Sequence, residues 1–311
     1  MSRTLHIVEP AHTSWAMMAR VIGERRTDDA VVVLGGTGDA RVAELVGIRP
    51  SGRVAPALGC GPLGWAALRR LVGRAGLEGI DSVHAWSIGA LGAARLAFPG
   101  AMIDATLSTP PDRTGACSAR LNRRWIDACA GVRFSTLAIR DAWARALGST
   151  AISAGVLRVD AGTARFAAAP AGANPRDQWG VTEDERVLLA LADAPSLVDA
   201  RRFIFHCGVM SIAGKRLVGV VSSKAAQLER AVRFTRRHHG AWRLLIDDTP
   251  MPHLLGIADA AMPSSLHSEW SVAMARAAGV PVVDAALANE NHMGANSALL
   301  HALETAGPRR A

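Results

Sequence analysis

The residue types best suited to chemistry are concentrated between positions 258 and 283, where the sequence reads ADAAMPSSLHSEWSVAMARAAGVPVV. A buried strand is predicted to end at about Met262, and a Ser-containing loop leads from it into a helix that stops at Gly279. Free N–H groups and the positive end of the peptide dipoles make a helix N-terminus a binding site for anions. We therefore predict a phosphate site here, and an ordinary strand–helix–strand unit is the alternative. The candidate binding residues are Ser264, Ser265, His267 and Glu269.

His84 and Trp86 lie where another predicted strand, residues 82–85, comes to its end. Ligands of parallel α/β sheets bind beyond the carboxyl ends of the strands, so both side chains are predicted to face a binding cleft. In that position His84 is a candidate catalytic residue. A structural hydrogen-bonding role is the alternative for this histidine.

A glycine-rich turn, Gly-Gly-Thr-Gly-Asp at residues 35–39, follows the predicted strand 31–34. Its backbone N–H groups are suited to holding a phosphate, and Gly36 and Thr37 are the candidate binding residues. A dinucleotide-binding fingerprint would need a third glycine where Arg41 stands. A nicotinamide-dependent oxidoreductase is therefore disfavoured, and a tight strand-to-helix turn is the alternative explanation.

Short apolar runs alternate with amphipathic stretches along most of the chain. The runs predict buried strands at residues 5–8, 30–34, 82–85, 102–105, 132–135, 186–192, 216–221, 242–246, 258–262 and 280–283. Helical spacing of apolar residues predicts helices at residues 15–24, 63–75, 88–98, 117–130, 137–147, 201–212, 224–238, 251–257, 270–278 and 296–306. This alternation predicts an α/β protein with Rossmann-like, doubly wound parallel sheets that helices cover on both faces.

The alternation is interrupted at residues 161–175, which are mostly small, contain Gly and Pro, and include few large apolar side chains. We interpret this segment as a linker. It separates an N-terminal domain (residues 1–160) from a C-terminal domain (residues 176–290), which a final helix (residues 291–311) follows. Two such domains would face each other across a cleft, which is the expected binding site.

Charge and composition restrict the classes of macromolecule or membrane that the protein is expected to bind. The 311 residues carry a formal net charge of +8, and aromatic residues make up 5% of the chain. The sequence has no basic stripe interleaved with aromatic residues, so nucleic-acid binding is not expected. The densest basic clusters are at residues 120–124 and 236–239. They are suited to peripheral contact with anionic membranes, and solvated helix faces are the alternative.

Cysteine usage and hydropathy bear on location. The four cysteines show neither metal-binding pairs nor a disulfide pattern, which is typical of a reducing compartment. No apolar run reaches the ~20 residues of a membrane span, and residues 1–8 do not resemble a secretory signal. We therefore expect a cytoplasmic protein, with no metal site and no cofactor.

Taken in order, these segments resemble GT-B-fold glycosyltransferases, in particular the retaining group-1 (family-four-like) enzymes. Residues 258–283 resemble the donor-binding end of that family, whose pattern runs from an Asp through Pro-Ser and a Glu to Glu-Ala-Met-Ala-x-Gly-x-Pro-Val-Val. Residues 81–86 resemble the family's Asp-x-Val-His-x-His strand end. Residues 130–155 resemble its stretch before the linker, and residues 176–180 together with 187–192 resemble its entry to the second domain.

The resemblance implies two Rossmann-like domains, with a nucleotide-sugar donor on the C-terminal domain and an acceptor on the N-terminal one. The residues that it places at the donor are Arg201, Arg202, Ser264, Ser265 and His267. The residues that it places on the acceptor side are Gly36, Thr37 and Trp86. The catalytic candidates near the reacting centre are His84 and Glu269, and no metal is implied.

The sequence departs from this family at residues that hold the donor. Met274 stands where the second Glu of the motif is expected, and a thioether is a poor substitute for a carboxylate as a hydrogen-bond acceptor. Ala194 and Asp199 stand near the expected Arg and Lys that neutralise the diphosphate, and an Asp there opposes phosphate binding.

Two hypotheses follow from these matches and departures. The first is a glycosyltransferase that moves a sugar from a nucleotide sugar to a hydroxyl of a carbohydrate or lipid-linked acceptor. The second is a catalytically inactive relative that binds a ligand or a partner protein.

Overall fold

The computed structural model describes residues 3–14, 29–34, 52–54, 66–68, 70, 80–111, 119–148, 155–156, 175–235, 242–249, 251–264, 267–283 and 292–305. Contacts divide the chain into two compact units, unit 1 (Met1–Arg158) and unit 2 (Val159–Ala311). Of the predicted linker, residues 161–175, all but the last residue lie outside the described ranges.

Among the described residues, unit 1 contains a sheet of seven parallel strands in the order β3-β2-β1-β4-β5-β6-β7. These strands are β1 (Arg3–Val8), β2 (Ala30–Leu34), β3 (Gly52–Val54), β4 (Ile80–Ala85), β5 (Met102–Leu107), β6 (Gly131–Phe134) and β7 (Gly155–Val156). The strand order reverses direction between β1 and β4, which are neighbours. In doubly wound sheets, ligands bind beyond the carboxyl ends of the two strands at such a reversal.

The two faces of this sheet differ in chemistry. Alternate residues such as Ile7 and Ile103 belong to one apolar core, where they are fully buried. His6, His84 and Asp104 are register partners across β1, β4 and β5, so they share the opposite face. That face is therefore polar where it crosses the centre of the sheet.

The helices described in unit 1 are α1 (Ile88–Ala97), α2 (Ala119–Asp127) and α3 (Leu137–Leu147). The hydroxyls of Ser87 and Thr136 begin α1 and α3 by accepting hydrogen bonds from backbone N–H groups three residues ahead. The helix α3 ends at Gly148, whose φ of 62° lies in the left-handed region that glycine adopts without strain. These caps fix where each helix starts and stops relative to the strand before it.

The described part of unit 2 contains a sheet of four parallel strands in the order β10-β9-β8-β11. The strands are β8 (Arg186–Leu191), β9 (Leu217–Val221), β10 (Trp242–Ile246) and β11 (Ala260–Pro263). The helices are α4 (Pro175–Gln178), α5 (Ala200–Ile212), α6 (Leu228–Thr235), α7 (Met251–Leu255), α8 (Glu269–Ala277) and α9 (His292–Thr305). Leu299 and Leu303 of α9 are buried in the core of this unit, so the final helix is part of unit 2. The reversal of strand order lies between β8 and β11.

A buried ion pair closes the amino-terminal edge of this second sheet. Nη1 of Arg176 lies 3.2 Å from Oδ2 of Asp259, and the same oxygen accepts the Val187 backbone N–H at 2.7 Å. Arg176 also donates to the carbonyls of Ile257 and Glu185. Because both charges are hydrogen-bonded, the cost of their burial is offset. The ion pair therefore ties α4 to the starts of β8 and β11.

Differences from the predicted elements have local causes. The strand predicted at residues 280–283 is reduced to a single bridge between Val282 and Ala261. The helix predicted from residue 224 begins at Leu228, because Gln227 has a φ of 59°, which a helix cannot include. The strands β3 and β7 were not predicted, since three and two residues are too few for a periodic pattern. The helix predicted at residues 15–24 lies outside the described ranges.

Each helix in the described ranges is too short or too polar to cross a lipid bilayer.

Candidate functional site

A buried carboxylate, that of Asp193, stands at the carboxyl edge of the sheet of unit 2. Asp193 follows β8 by two residues and reaches the first turn of α8, the helix that follows the neighbouring strand β11. Its Oδ1 accepts the Ser271 backbone N–H at 2.9 Å and the Ser271 hydroxyl at 3.2 Å. Its own N–H donates to the His267 carbonyl at 2.9 Å. A carboxylate of the chain itself therefore occupies the anion-binding end of α8.

The surroundings of Asp193 oppose its negative charge. The residue is 3% exposed, and its Oδ2 has no hydrogen-bond partner among the described residues. Burial raises the pKa of Asp193 to about 7, and the negative charge of Glu269 acts in the same direction, while hydrogen bonds from Ser271 and Trp270 partly offset both. Asp193 therefore exchanges its proton near neutral pH, where an ordinary Asp is fully ionised.

Three of the predicted donor residues lie at this same edge. Glu269 is the first residue of α8 and is exposed, and His267 is half-buried. Ser264 is 2% exposed, and its hydroxyl donates to the Leu191 carbonyl at 3.0 Å, which joins β11 to β8. Ser265 lies outside the described residues.

Arg201 and Arg202 lie in the first turn of α5, the helix that follows β8 in the chain. The carboxylate of Asp199 caps this helix by accepting their backbone N–H groups at 3.1 and 3.2 Å. The side chain of Arg201 is exposed and donates to Oε1 of Gln227 at 3.4 Å, whereas Arg202 is half-buried. A carboxylate thus occupies the N-terminus of α5, as Asp193 does at α8.

Two positions at which the resemblance expects polar side chains belong to the core. Met274 on α8 and Ala194 after β8 are both fully buried. A Glu or an Arg at these positions would bury a charge at large cost unless a partner were buried with it. Packing therefore accounts for the apolar residues found there.

In unit 1, His84 lies on the polar face of the sheet. Its Nε2 is 2.8 Å from Oγ1 of Thr106 on β5, and its ring stacks on that of Trp86 with centroids 4.6 Å apart. Burial, together with the positive charges of His6 and Arg133, lowers the pKa of His84 to about 3. His84 is therefore a neutral imidazole at physiological pH, suited to hydrogen bonding rather than to acting as a cationic acid.

Trp86 is 2% exposed, so its ring is packed within unit 1. Its Nε1–H donates to Nδ1 of His6 at 3.3 Å, and Nε2 of His6 lies 3.4 Å from Oδ2 of Asp29. These contacts fix the plane of the indole, and the indole in turn fixes the plane of the His84 ring.

A second carboxylate, that of Glu9, occupies the corresponding place in unit 1. Glu9 directly follows β1, and the hydroxyl of Ser87 at the start of α1 donates to its Oε2 at 2.6 Å. A Cβ atom added to Gly89 would lie 2.7 Å from that oxygen, so glycine leaves the room that the carboxylate needs. In both units, a carboxylate after a central strand reaches the N-terminus of the helix that follows the adjacent strand.

No family model matches the chain, and no curated protein matches it. Solved structures match it over nearly its full length. HepE from Anabaena in complex with UDP-glucose has a TM-score of 0.64 at 15% identity, covering 98% of this chain and 94% of its own. A glycosyltransferase from Rickettsia africae has a TM-score of 0.52 at 12% identity, covering 99% and 94%. Sucrose-phosphate synthase from Thermosynechococcus elongatus has a TM-score of 0.56 at 13% identity, covering 99% and 95%.

This chain has the GT-B fold. The predicted fold class, an α/β protein built from two doubly wound parallel-sheet domains, is confirmed. The superpositions over 98 to 99% of the chain establish this fold, whereas at identities of 12 to 15% an activity has to be argued from the residues at the strand ends.

Within this GT-B fold, sequence reasoning did not select Asp193 or Glu9. Each follows an apolar strand and precedes a short helical turn that begins with Pro, which is the signal that could have indicated them. The predicted residues Gly36 and Thr37 lie outside the described ranges. In the part of the chain that is described, His, Cys, Asp and Glu side chains form no group of three that could hold a metal ion.

Proposed function

We propose that this protein is a glycosyltransferase that takes a sugar from a nucleotide sugar, with UDP-glucose as the first donor to test. The observation that carries the proposal is the match to HepE, whose structures contain UDP-glucose, UDP with glucose, and UDP. That match covers 98% of this chain. It therefore extends over both units rather than over one common Rossmann-like sheet.

The polar residues of unit 2 support a donor site at the carboxyl edge of its sheet. We assign the donor diphosphate to the first turns of α5 and α8, with Arg201 and Arg202 as its cationic partners. Arg–phosphate hydrogen bonds are charge-assisted and stronger than neutral ones. The exposed Glu269 is the assigned acceptor of hydrogen bonds from the donor's hydroxyl groups.

The polar face of unit 1 supports an acceptor site that includes His84. Because its pKa is about 3, His84 would orient the acceptor hydroxyl as a neutral imidazole. In the proposed reaction the acceptor oxygen forms a bond to the anomeric carbon, and the bond from that carbon to the diphosphate breaks. The nucleoside diphosphate leaves with the electron pair, and the proton of the acceptor hydroxyl passes to the departing phosphate oxygen. The acceptor class that we propose is a carbohydrate or a lipid-linked carbohydrate.

The second candidate function is ligand binding without sugar transfer. Asp193 and Asp199 favour it, because carboxylates at these two helix N-termini oppose the negative charge that develops on a departing diphosphate. Met274 favours it as well, because the buried thioether offers the donor no carboxylate.

Calorimetric titration of the purified protein with UDP-glucose, UDP, GDP and ADP tests the proposed donor site. We expect saturable binding of one of these ligands. Arg202→Ala and Glu269→Ala should each bind at least about tenfold more weakly, because a hydrogen bond to a charged group contributes about 1.5–3 kcal/mol. Arg276→Ala is the matched control, since Arg276 is exposed in the last turn of α8 and should not affect binding. A folded protein that binds none of the ligands would exclude the proposal.

Release of UDP from UDP-glucose separates the two candidate functions. A transferase should release UDP when a suitable acceptor saccharide is present, and His84→Ala should slow this release more than it weakens donor binding. A binding protein should retain UDP-glucose intact under the same conditions.

A further inference from the structure

The carboxylate of Asp193 lies where α8 would otherwise attract a ligand anion. With nine residues, α8 is long enough to present free N–H groups and the positive end of its dipole at the carboxyl edge of the sheet. Oδ1 of Asp193 accepts the N–H of Ser271, and the N–H of Trp270 also stabilises the carboxylate. Oδ2 is buried and has no partner among the described residues. The helix end therefore holds a carboxyl group that is only half hydrogen-bonded and is shielded from water.

The charged residue of α8 that acts on Asp193 is Glu269, and its charge is also negative. In the segment before α8, the titratable residue is His267, whose carbonyl accepts the Asp193 N–H. Leu191 and Ser264, at the ends of β8 and β11, carry no charge. An ionised Asp193 would therefore repel a diphosphate at the first turn of α8, against the attraction of Arg201 and Arg202 on α5. Glu269 is assigned to the donor's hydroxyl groups.

We infer that Asp193 is a proton-dependent block of the donor site: its carboxylate keeps phosphate away from α8, and phosphate binds together with one proton that Asp193 takes up from solvent. This inference rests on the proposed function, because it assigns the donor diphosphate to the first turn of α8. Once the carboxyl group is neutral, it no longer repels the phosphate. The helix dipole and the remaining N–H groups then attract the ligand. The proton is available at neutral pH, because burial has already raised the pKa of Asp193 to about 7.

UDP-glucose is the probe for this proton, because each of its phosphates carries one strongly acidic hydroxyl and keeps its charge over the range tested. Calorimetric titrations at about pH 6.5, 7.5 and 8.5, each in two buffers of different ionisation enthalpy, measure affinity and proton uptake together. We expect the affinity to fall by up to about tenfold for each pH unit above about 7. Proton uptake should rise toward one per ligand over the same interval.

Asp193→Asn identifies the residue that takes up the proton. Asn keeps the oxygen that accepts the Ser271 N–H but cannot ionise. This variant should bind UDP-glucose with the same affinity at every pH, and at about pH 8.5 up to about 30-fold more tightly than the wild type. Asp199→Asn is the matched control. It removes one negative charge from the half-exposed cap of α5 and should keep the pH dependence of the wild type.

The outcomes distinguish this inference from the proposed function. If the wild type and Asp193→Asn both bind UDP-glucose with no pH dependence and no proton uptake, the block is refuted and the donor site stands. If neither binds at any pH, both the inference and the donor site are refuted, because Asp193→Asn should bind throughout. Asp193→Ser, whose hydroxyl oxygen can also accept the Ser271 N–H, repeats the test if the Asn variant does not fold.

Discussion

Asp193 also makes the stability of the folded chain depend on pH. Its ordinary pKa is 3.8, and burial raises the pKa to about 7 in the folded state. Between these two values the folded protein holds a proton that the unfolded chain has released. The contribution of Asp193 to stability is therefore complete below pH 3.8 and is lost as the pH rises toward about 7.

Asp193→Asn should consequently be more stable than the wild type at about pH 8, by on the order of 2–4 kcal/mol, because Asn pays no cost of buried ionisation. The advantage should disappear near pH 4, where the folded wild type keeps its proton and the unfolded chain holds one for about half of the time. Denaturant unfolding of both proteins at the two pH values measures this difference. Asp199→Asn should not reproduce it, and an advantage of equal size at both pH values would contradict a raised pKa.

The residues at the carboxyl edge of the sheet of unit 2, where the donor site is proposed, differ in how far the sequence could predict them. The start of α8 is recognisable locally, because an apolar strand, a polar loop and a helical pattern ending at Gly279 follow one another within 26 residues, 258 to 283. Asp193 is 78 residues away from the Ser271 group that it binds. A contact of this separation depends on β8 and β11 being neighbours, and a single sequence does not contain the strand order.

Two glycines in helix interiors should respond in opposite ways to alanine, because their neighbours differ. A Cβ atom added to Gly92 in α1 would lie 2.5 Å from Cη2 of Trp125 in α2, whereas one added to Gly208 in α5 would meet no atom within 4 Å. Alanine in an open helix position stabilises by about 0.5–1 kcal/mol relative to glycine. We expect that gain for Gly208→Ala, and a loss of about 1–3 kcal/mol for Gly92→Ala because the indole must move.

Denaturant unfolding of both variants beside the wild type gives the two differences directly. Each variant serves as the control for the other, since the substitution and its effect on helix propensity are the same. A gain of similar size in both would show that α1 and α2 do not approach each other as closely as Gly92 and Trp125 indicate.

The elements themselves were predictable where their signal is local. Buried strands of five or six residues, such as β2 and β8, stand out as apolar runs between polar segments. The sequence did not predict that unit 1 has a polar sheet face. His6, His84 and Asp104 are isolated polar residues in three separate runs, and only the parallel register brings them side by side.

Each unit of the molecule buries its own apolar core around its own parallel sheet. Such cores depend on the alternation of apolar strands with amphipathic helices, which tolerates exchange of one apolar residue for another of similar volume. The GT-B fold can therefore be shared with HepE at 15% identity. Binding residues have no such tolerance, so the function has to be argued from residues at the strand ends rather than from the fold.

The net charge of the whole molecule, +8, should draw it to anionic membranes through the exposed basic face of α2. Arg120, Arg123 and Arg124 are exposed on this helix, and Arg123 pairs in part with Asp127 at 3.5 Å. A basic residue at an anionic lipid surface contributes about 1 kcal/mol, so replacing all three with Ala should weaken binding by at least about tenfold. Sedimentation with vesicles that contain phosphatidylserine measures this, and added salt should weaken the binding of the wild type.

A matched variant separates the face of α2 from net charge alone. Arg230, Arg233 and Arg276 are exposed residues of unit 2, and replacing them with Ala lowers the net charge by the same amount. If the basic face of α2 is the contact, this control should sediment almost like the wild type. If both triple variants lose membrane binding equally, binding depends on the total charge of the protein. If the α2 variant sediments like the wild type, this face is excluded as the site of contact.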